Sequence, residues 1–117
     1  MYLTDLKVLE ALELGGIITS YRMDGSRRKD GSQYWQMGLH DDRNAPYISA
    51  SLAGLRQVLR HIPDGDIPMV LLEAHSAMSD GALGGDHLFK WLYYRAHGRT
   101  PIRLLAGALQ LRLEGRL

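Results

Sequence analysis

The sequence predicts an α+β domain, a mixed sheet of four to five strands that begins with a β-hairpin and carries three packed helices. Three observations carry this expectation. Trp35, Met37 and Leu39 alternate with Tyr34, Gln36 and Gly38, the period of a strand with one apolar face. Apolar residues at helical spacing recur in residues 4–14 and 49–62. The run Ile67-Pro68-Met69-Val70-Leu71-Leu72-Glu73-Ala74 is nearly all apolar and of strand length, as expected for the middle of a sheet covered on both faces. A chain of 117 residues, 45% apolar and 23% charged, suits a single folded domain spanning residues 1–117 rather than a disordered segment.

The elements follow in order. Thr4 is placed to N-cap a first helix, with Leu3 and Val8 as a hydrophobic staple and Leu6, Val8, Leu9 and Leu12 on its apolar side. Gly15-Gly16 stops it, one glycine serving as the C′ residue. Residues 17–40 read as a hairpin: a strand over 17–23, a loop over 24–31 with Asp-Gly pairs that mark turns, and a strand over 32–40. A short third strand is expected around Pro46-Tyr47-Ile48, at an edge because of the proline. Ser49 or Ser51 then opens a helix that buries Leu52, Leu55, Val58, Leu59 and Ile62 and turns Arg56, Gln57, Arg60 and His61 outward. After the apolar run, residues 76–85 carry three glycines and no periodic signal, and Asp86 caps a helix over 87–97. Residues 100–117 are ambiguous. Thr100-Pro101 favours a helix start, whereas Leu109-Gln110-Leu111-Arg112-Leu113-Glu114 alternates like a strand; the alternation tips the reading to a strand.

Charge and composition narrow the function classes. With 14 Lys and Arg against 13 Asp and Glu the net charge is +1, so no global field draws the chain to nucleic acid or an anionic membrane. Cysteine is absent, which excludes disulfides, thiolate nucleophiles and thiolate metal sites. The first residues show no basic segment followed by an apolar one, and no apolar stretch nears the ~18 residues of a membrane span; a cytoplasmic protein without a membrane role is expected.

The sharpest local feature is the hairpin tip, where Arg27, Arg28 and Lys29 lie between Asp24 and Asp30, with Arg22 on the adjoining strand and Tyr21, Tyr34 and Trp35 nearby. Basic side chains beside aromatic ones can hold phosphates while a base stacks. An ordinary solvated turn has the same composition. Three cations beside two acids would neutralise only a few phosphates, so affinity for nucleic acid would be modest and salt-dependent. A second feature is the helix over 87–97, where Phe89 and Tyr93 share one face and Trp91 and Tyr94 another. A helix facing one core leaves one pair at the surface, as a contact patch of a kind enriched at interfaces; a helix covered on both sides would bury both.

Catalytic and metal arrangements are incomplete. None of the five histidines forms an i, i+3 or i, i+4 pair, and His87 and His97 would stand about 15 Å apart along a helix. Ser76, His75 and Asp80 lack the nucleophile elbow, and adjacent His and Ser in a strand point to opposite faces. No cofactor is implied.

The stretch from Ile17 onward resembles the ribonuclease H-like fold in its element order, in Met23-Asp24-Gly25-Ser26, which looks like the end of that family's first strand, and in Val70-Leu71-Leu72-Glu73-Ala74-His75-Ser76, which looks like its fourth. The resemblance implies a scaffold whose catalytic carboxylates are mostly missing. Asp24 alone matches a metal ligand, His75 stands where an Asp is expected, and the helix near Ser51 lacks the expected Glu. Two metal ions need several converging carboxylates, so a non-catalytic member is implied, with the helix over 4–14 as an addition.

The expected function is therefore recognition: a small regulatory or inhibitory protein that binds another macromolecule, a protein, through Arg22, Arg27, Arg28, Lys29, Trp35, Trp91 and Tyr94. The second reading is a nucleic-acid-binding protein using the basic hairpin, and the third an enzyme using Asp24, Glu73 and His75 if these meet. An exposed aromatic helix or a free sheet edge also leaves a homodimer open.

Overall fold

Thr4 opens α1 (Asp5–Leu14) as its side chain predicts, its Oγ1 accepting from the Lys7 backbone N–H at 3.2 Å. Leu3 and Val8 are both buried across that cap, the arrangement of a staple. The helix stops where Gly16 takes a φ of 76°. The Ile17 N–H then donates to the Leu12 carbonyl and the Gly16 N–H to that of Glu13, which satisfies the last carbonyls in a Schellman turn. Val8, Leu9 and Leu12 face the core, while Leu6 is 52% exposed. The structure is a computed structural model and describes residues 3–27, 29, 31–39, 47–80 and 102–117, with the backbone alone for 77–80 and 102.

The hairpin forms β1 (Ile18–Arg27) and β2 (Gln33–Leu39), and β3 (Tyr47–Ser51) follows on the other side of β2. Among the described residues the sheet has three strands in the order β1-β2-β3, antiparallel throughout; the expected mixed sheet of four or five strands is corrected in both respects. β1 runs on past the expected loop start at Asp24, because an irregularity between Met23 and Arg27 lets it absorb extra residues, with Gly25 at a φ of 90°. The residue alternation of β2 is realised in space. Trp35 and Met37 are buried on the helix side with Ala50 of β3, and the opposite side carries Gln36.

Helix α2 (Ala53–His61) buries Leu55, Val58 and Leu59, with Leu52 and Ile62 buried at its two ends, as its spacing predicts. Ser51 Oγ accepts from the Ala53 N–H at 3.2 Å. Two expected strands are helices. The apolar run lies in α3 (Ile67–Asp80), entered through a short 3-10 turn over Asp64–Asp66. Its buried positions are Ile67, Val70, Leu71 and Ala74, an i, i+3, i+4, i+7 set that Met69 and Leu72, both exposed, had filled in to a continuous run. Pro68, second in the helix, is tolerated because first-turn N–H groups have no intrahelical partner. The stretch Val70 to Ser76, which the resemblance sets in a strand, thus lies within α3.

The chain end forms α4 (Ile102–Leu113), which packs against α1, α2 and α3. Leu104, Leu105, Ala106, Ala108, Leu109 and Leu111 are all buried. A helix surrounded on nearly all sides has no single apolar stripe, so the Leu-x-Leu-x-Leu alternation at its end simulated a strand. Four helices are thus described where three were expected, and the expected helix over 87–97 lies outside the described residues.

One polar node ties the layers together. Asp5, in the first turn of α1, accepts from the Trp35 indole N–H of β2 at 2.8 Å, and its other oxygen lies 2.8 Å from Arg56 Nε of α2. Arg56 also donates to the Leu3 carbonyl at 3.3 Å. The Arg56 Nε and Asp5 oxygen have no directed hydrogen bond, so charge attraction holds that contact. No described helix is long and apolar enough to cross a membrane.

Candidate functional site

Antiparallel pairing places residues directly across from one another on the same side of the sheet. Two neighbouring rows therefore form on the side away from the helices. Arg22 of β1 pairs with Gln36 of β2, which pairs with Ser49 of β3; Ser20 pairs with Gly38, which pairs with Tyr47. Gly38 contributes no side chain, and the space above it is taken by Thr19 and Ser20 of β1. A Cβ added there would overlap the Thr19 hydroxyl and stand 3.0 Å from Ser20 Oγ. Beside it lies an open depression of about 340 Å³ lined by Ser20, Arg22, Gln36 and Tyr47.

Its polar groups are partly fixed and partly available. Arg22 Nε donates to Gln36 Oε1 at 2.7 Å, which orients the guanidinium and leaves the fork of its two terminal nitrogens as donors. Among the described residues Arg22 has no carboxylate partner. Tyr47 is 67% exposed. Asp24, two residues along β1, accepts from the hydroxyls of Ser49 and Ser26. Signs therefore change along β1, from cation at Arg22 to anion at Asp24 to cation at Arg27. Arg27 donates to the Gly31 carbonyl across the hairpin end at 3.0 Å, and Lys29 is exposed.

Trp35 is placed differently from the expectation. It is 7% exposed, gives its indole N–H to Asp5 and meets Tyr21 edge-on with ring centres 6.3 Å apart. It is a core residue because its apolar-face position in β2 turns it under the sheet, away from Arg22. Arg28, Trp91 and Tyr94 lie outside the described residues. Asp24 belongs to β1 whereas Glu73 and His75 belong to α3. Among the described residues no three His, Asp or Glu side chains gather as a metal site would need.

A second depression, about 210 Å³, is lined by Leu3, Arg60, Arg112 and Leu117. Its Arg112 is already engaged, donating to the Leu59 carbonyl at 2.6 Å and lying 3.6 Å from Asp64. In the sheet depression the arginine is oriented by one hydrogen bond and, among the described residues, meets no carboxylate. Ser20, Gln36 and Tyr47 were not singled out as site residues from the sequence, since only strand register unites them. The outward alternation of Ser20, Arg22 and Asp24 was the available signal. Comparison with protein-family models, with curated proteins and with solved structures finds no match to this chain, so its functional reading stands on the geometry of this face.

Proposed function

We propose that this chain is a small, non-catalytic regulatory or inhibitory protein that holds another protein on the open face of its sheet and the adjoining hairpin. The observation that supports this reading is the Arg22 depression: an oriented guanidinium without a carboxylate partner among the described residues, beside an exposed tyrosine on a sheet face away from the described helices. Tyr and Arg at the centre of an interface contribute disproportionately to binding. The test is capture of partners from the native host with the whole chain, followed by affinity measurement with the partner identified. Arg22→Ala/Arg27→Ala is expected to weaken that affinity by about tenfold or more while leaving the thermal midpoint unchanged, because both side chains are exposed. Equal affinity of the double variant would remove the face from the reading.

The second reading, nucleic-acid binding, draws on Arg22, Arg27, Arg28 and Lys29. It requires affinity for an oligonucleotide that falls steeply across a salt series and falls further in the same double variant. Asp24 argues against it, since a fixed carboxylate between Arg22 and Arg27 repels a uniformly anionic backbone but suits a protein surface of mixed sign.

A further inference from the structure

Building on the reading that the sheet face holds a protein, we infer that the Arg22 depression receives one particular chemical group, the carboxylate of an Asp or Glu side chain on that partner. The depression offers an end-on guanidinium fork, because Gln36 occupies Nε and leaves the two terminal nitrogens. A planar fork of two donors matches the two oxygens of a carboxylate. The hydroxyls of Ser20 and Tyr47 line the same space and supply further donors to an anion.

Charge complementarity selects the occupant. Among the described residues Arg22 is a cation without a carboxylate partner, which suits an incoming acid. Asp24 is close along the strand and tied down by Ser49 and Ser26. An occupant must therefore present a single acid at Arg22 and avoid a second at Asp24. A protein segment with one acidic side chain satisfies this, whereas a run of phosphates does not.

The test is titration of the isotopically labelled whole chain with a blocked peptide of sequence Gly-Glu-Gly, followed by nuclear magnetic resonance. Saturable shifts are expected at the Arg22 Nε–H and at the amides of Ser20, Gln36 and Tyr47. Dissociation constants should rise about tenfold in Arg22→Gln and by a smaller factor in Tyr47→Phe. Arg22→Lys, which keeps the charge and loses the fork, should recover only part of the binding. A blocked Gly-Gln-Gly peptide should give no saturable shift. The inference is overturned if the glutamyl peptide gives none either, if Arg22→Gln binds it unchanged, or if inorganic phosphate or an oligothymidylate occupies these residues more tightly at equal ionic strength. Such a failure, with partner capture still sensitive to Arg22→Ala/Arg27→Ala, would remove the carboxylate assignment and leave the broader reading intact.

Discussion

Replacing Asp5 by Ala is expected to destabilise the protein by about 2–3 kcal/mol, a large part of the ~5–15 kcal/mol that holds a domain together. Asp5 receives the Trp35 indole N–H and faces the Arg56 guanidinium, each at 2.8 Å. Its removal leaves the indole N–H without its acceptor and the Arg56 guanidinium without its counter-charge. The side chains of Arg56 and Asp5 are 24% and 19% exposed, so water relieves part of the penalty, and the effect falls below the ~3–5 kcal/mol of a fully buried broken pair. Asp5→Asn should cost less, because the amide oxygen can still accept from the indole. Urea denaturation followed by tryptophan fluorescence checks both, and a loss under ~0.5 kcal/mol in Asp5→Ala, the scale of an ordinary surface change, would show that the node is not structural.

Gly107→Val should be comparably damaging, by about 2–3 kcal/mol. A Cβ at position 107 of α4 would stand 2.8–2.9 Å from three carbons of the Ile17 side chain. Ile is branched at Cβ and has few rotamers in which to withdraw. Relief must come from backbone movement in a helix buried on nearly all sides. Gly107→Ala sets two terms against each other, a helix-propensity gain of about 1 kcal/mol and the same clash, so it should be milder than valine. The mechanism predicts rescue: in an Ile17→Ala background the Gly107→Val penalty should shrink by at least about 1 kcal/mol, and additive penalties would exclude this contact as the cause.

The parts of the fold legible in the sequence are those decided locally. Thr4, Gly16 and the spacing of Val8, Leu9 and Leu12 settle α1 through cap bonds and one apolar stripe. The spacing of Leu52, Leu55, Val58, Leu59 and Ile62 settles α2 through its apolar stripe. The alternation around Trp35 settled β2. Both helices mistaken for strands owe their disguise to tertiary placement. In α3, Met69 and Leu72 are apolar yet exposed, and in α4 the burial of Leu104, Leu105, Ala108, Leu109 and Leu111 hides any polar face. The site was legible to the extent of Arg22 and Arg27, which their charge marked. Tyr47 and Gln36 join Arg22 through pairings between strands, and a period-2 pattern carries no register between separate strands. Trp35 stands beside basic residues in the sequence, yet its alternation with Gln36 puts it on the inner side.

The proposed function sets partners on the sheet face and not on the helices. Hydroxyl-radical footprinting of the partner-bound chain tests it most directly, because Tyr47 on the sheet face is 67% exposed and Met69 on α3 is 51% exposed, and both side chains react readily. Binding is predicted to shield Tyr47 and leave Met69 oxidised as in the free chain. Shielding of Met69 and Leu72 with Tyr47 unchanged would contradict it and move the interface to α3.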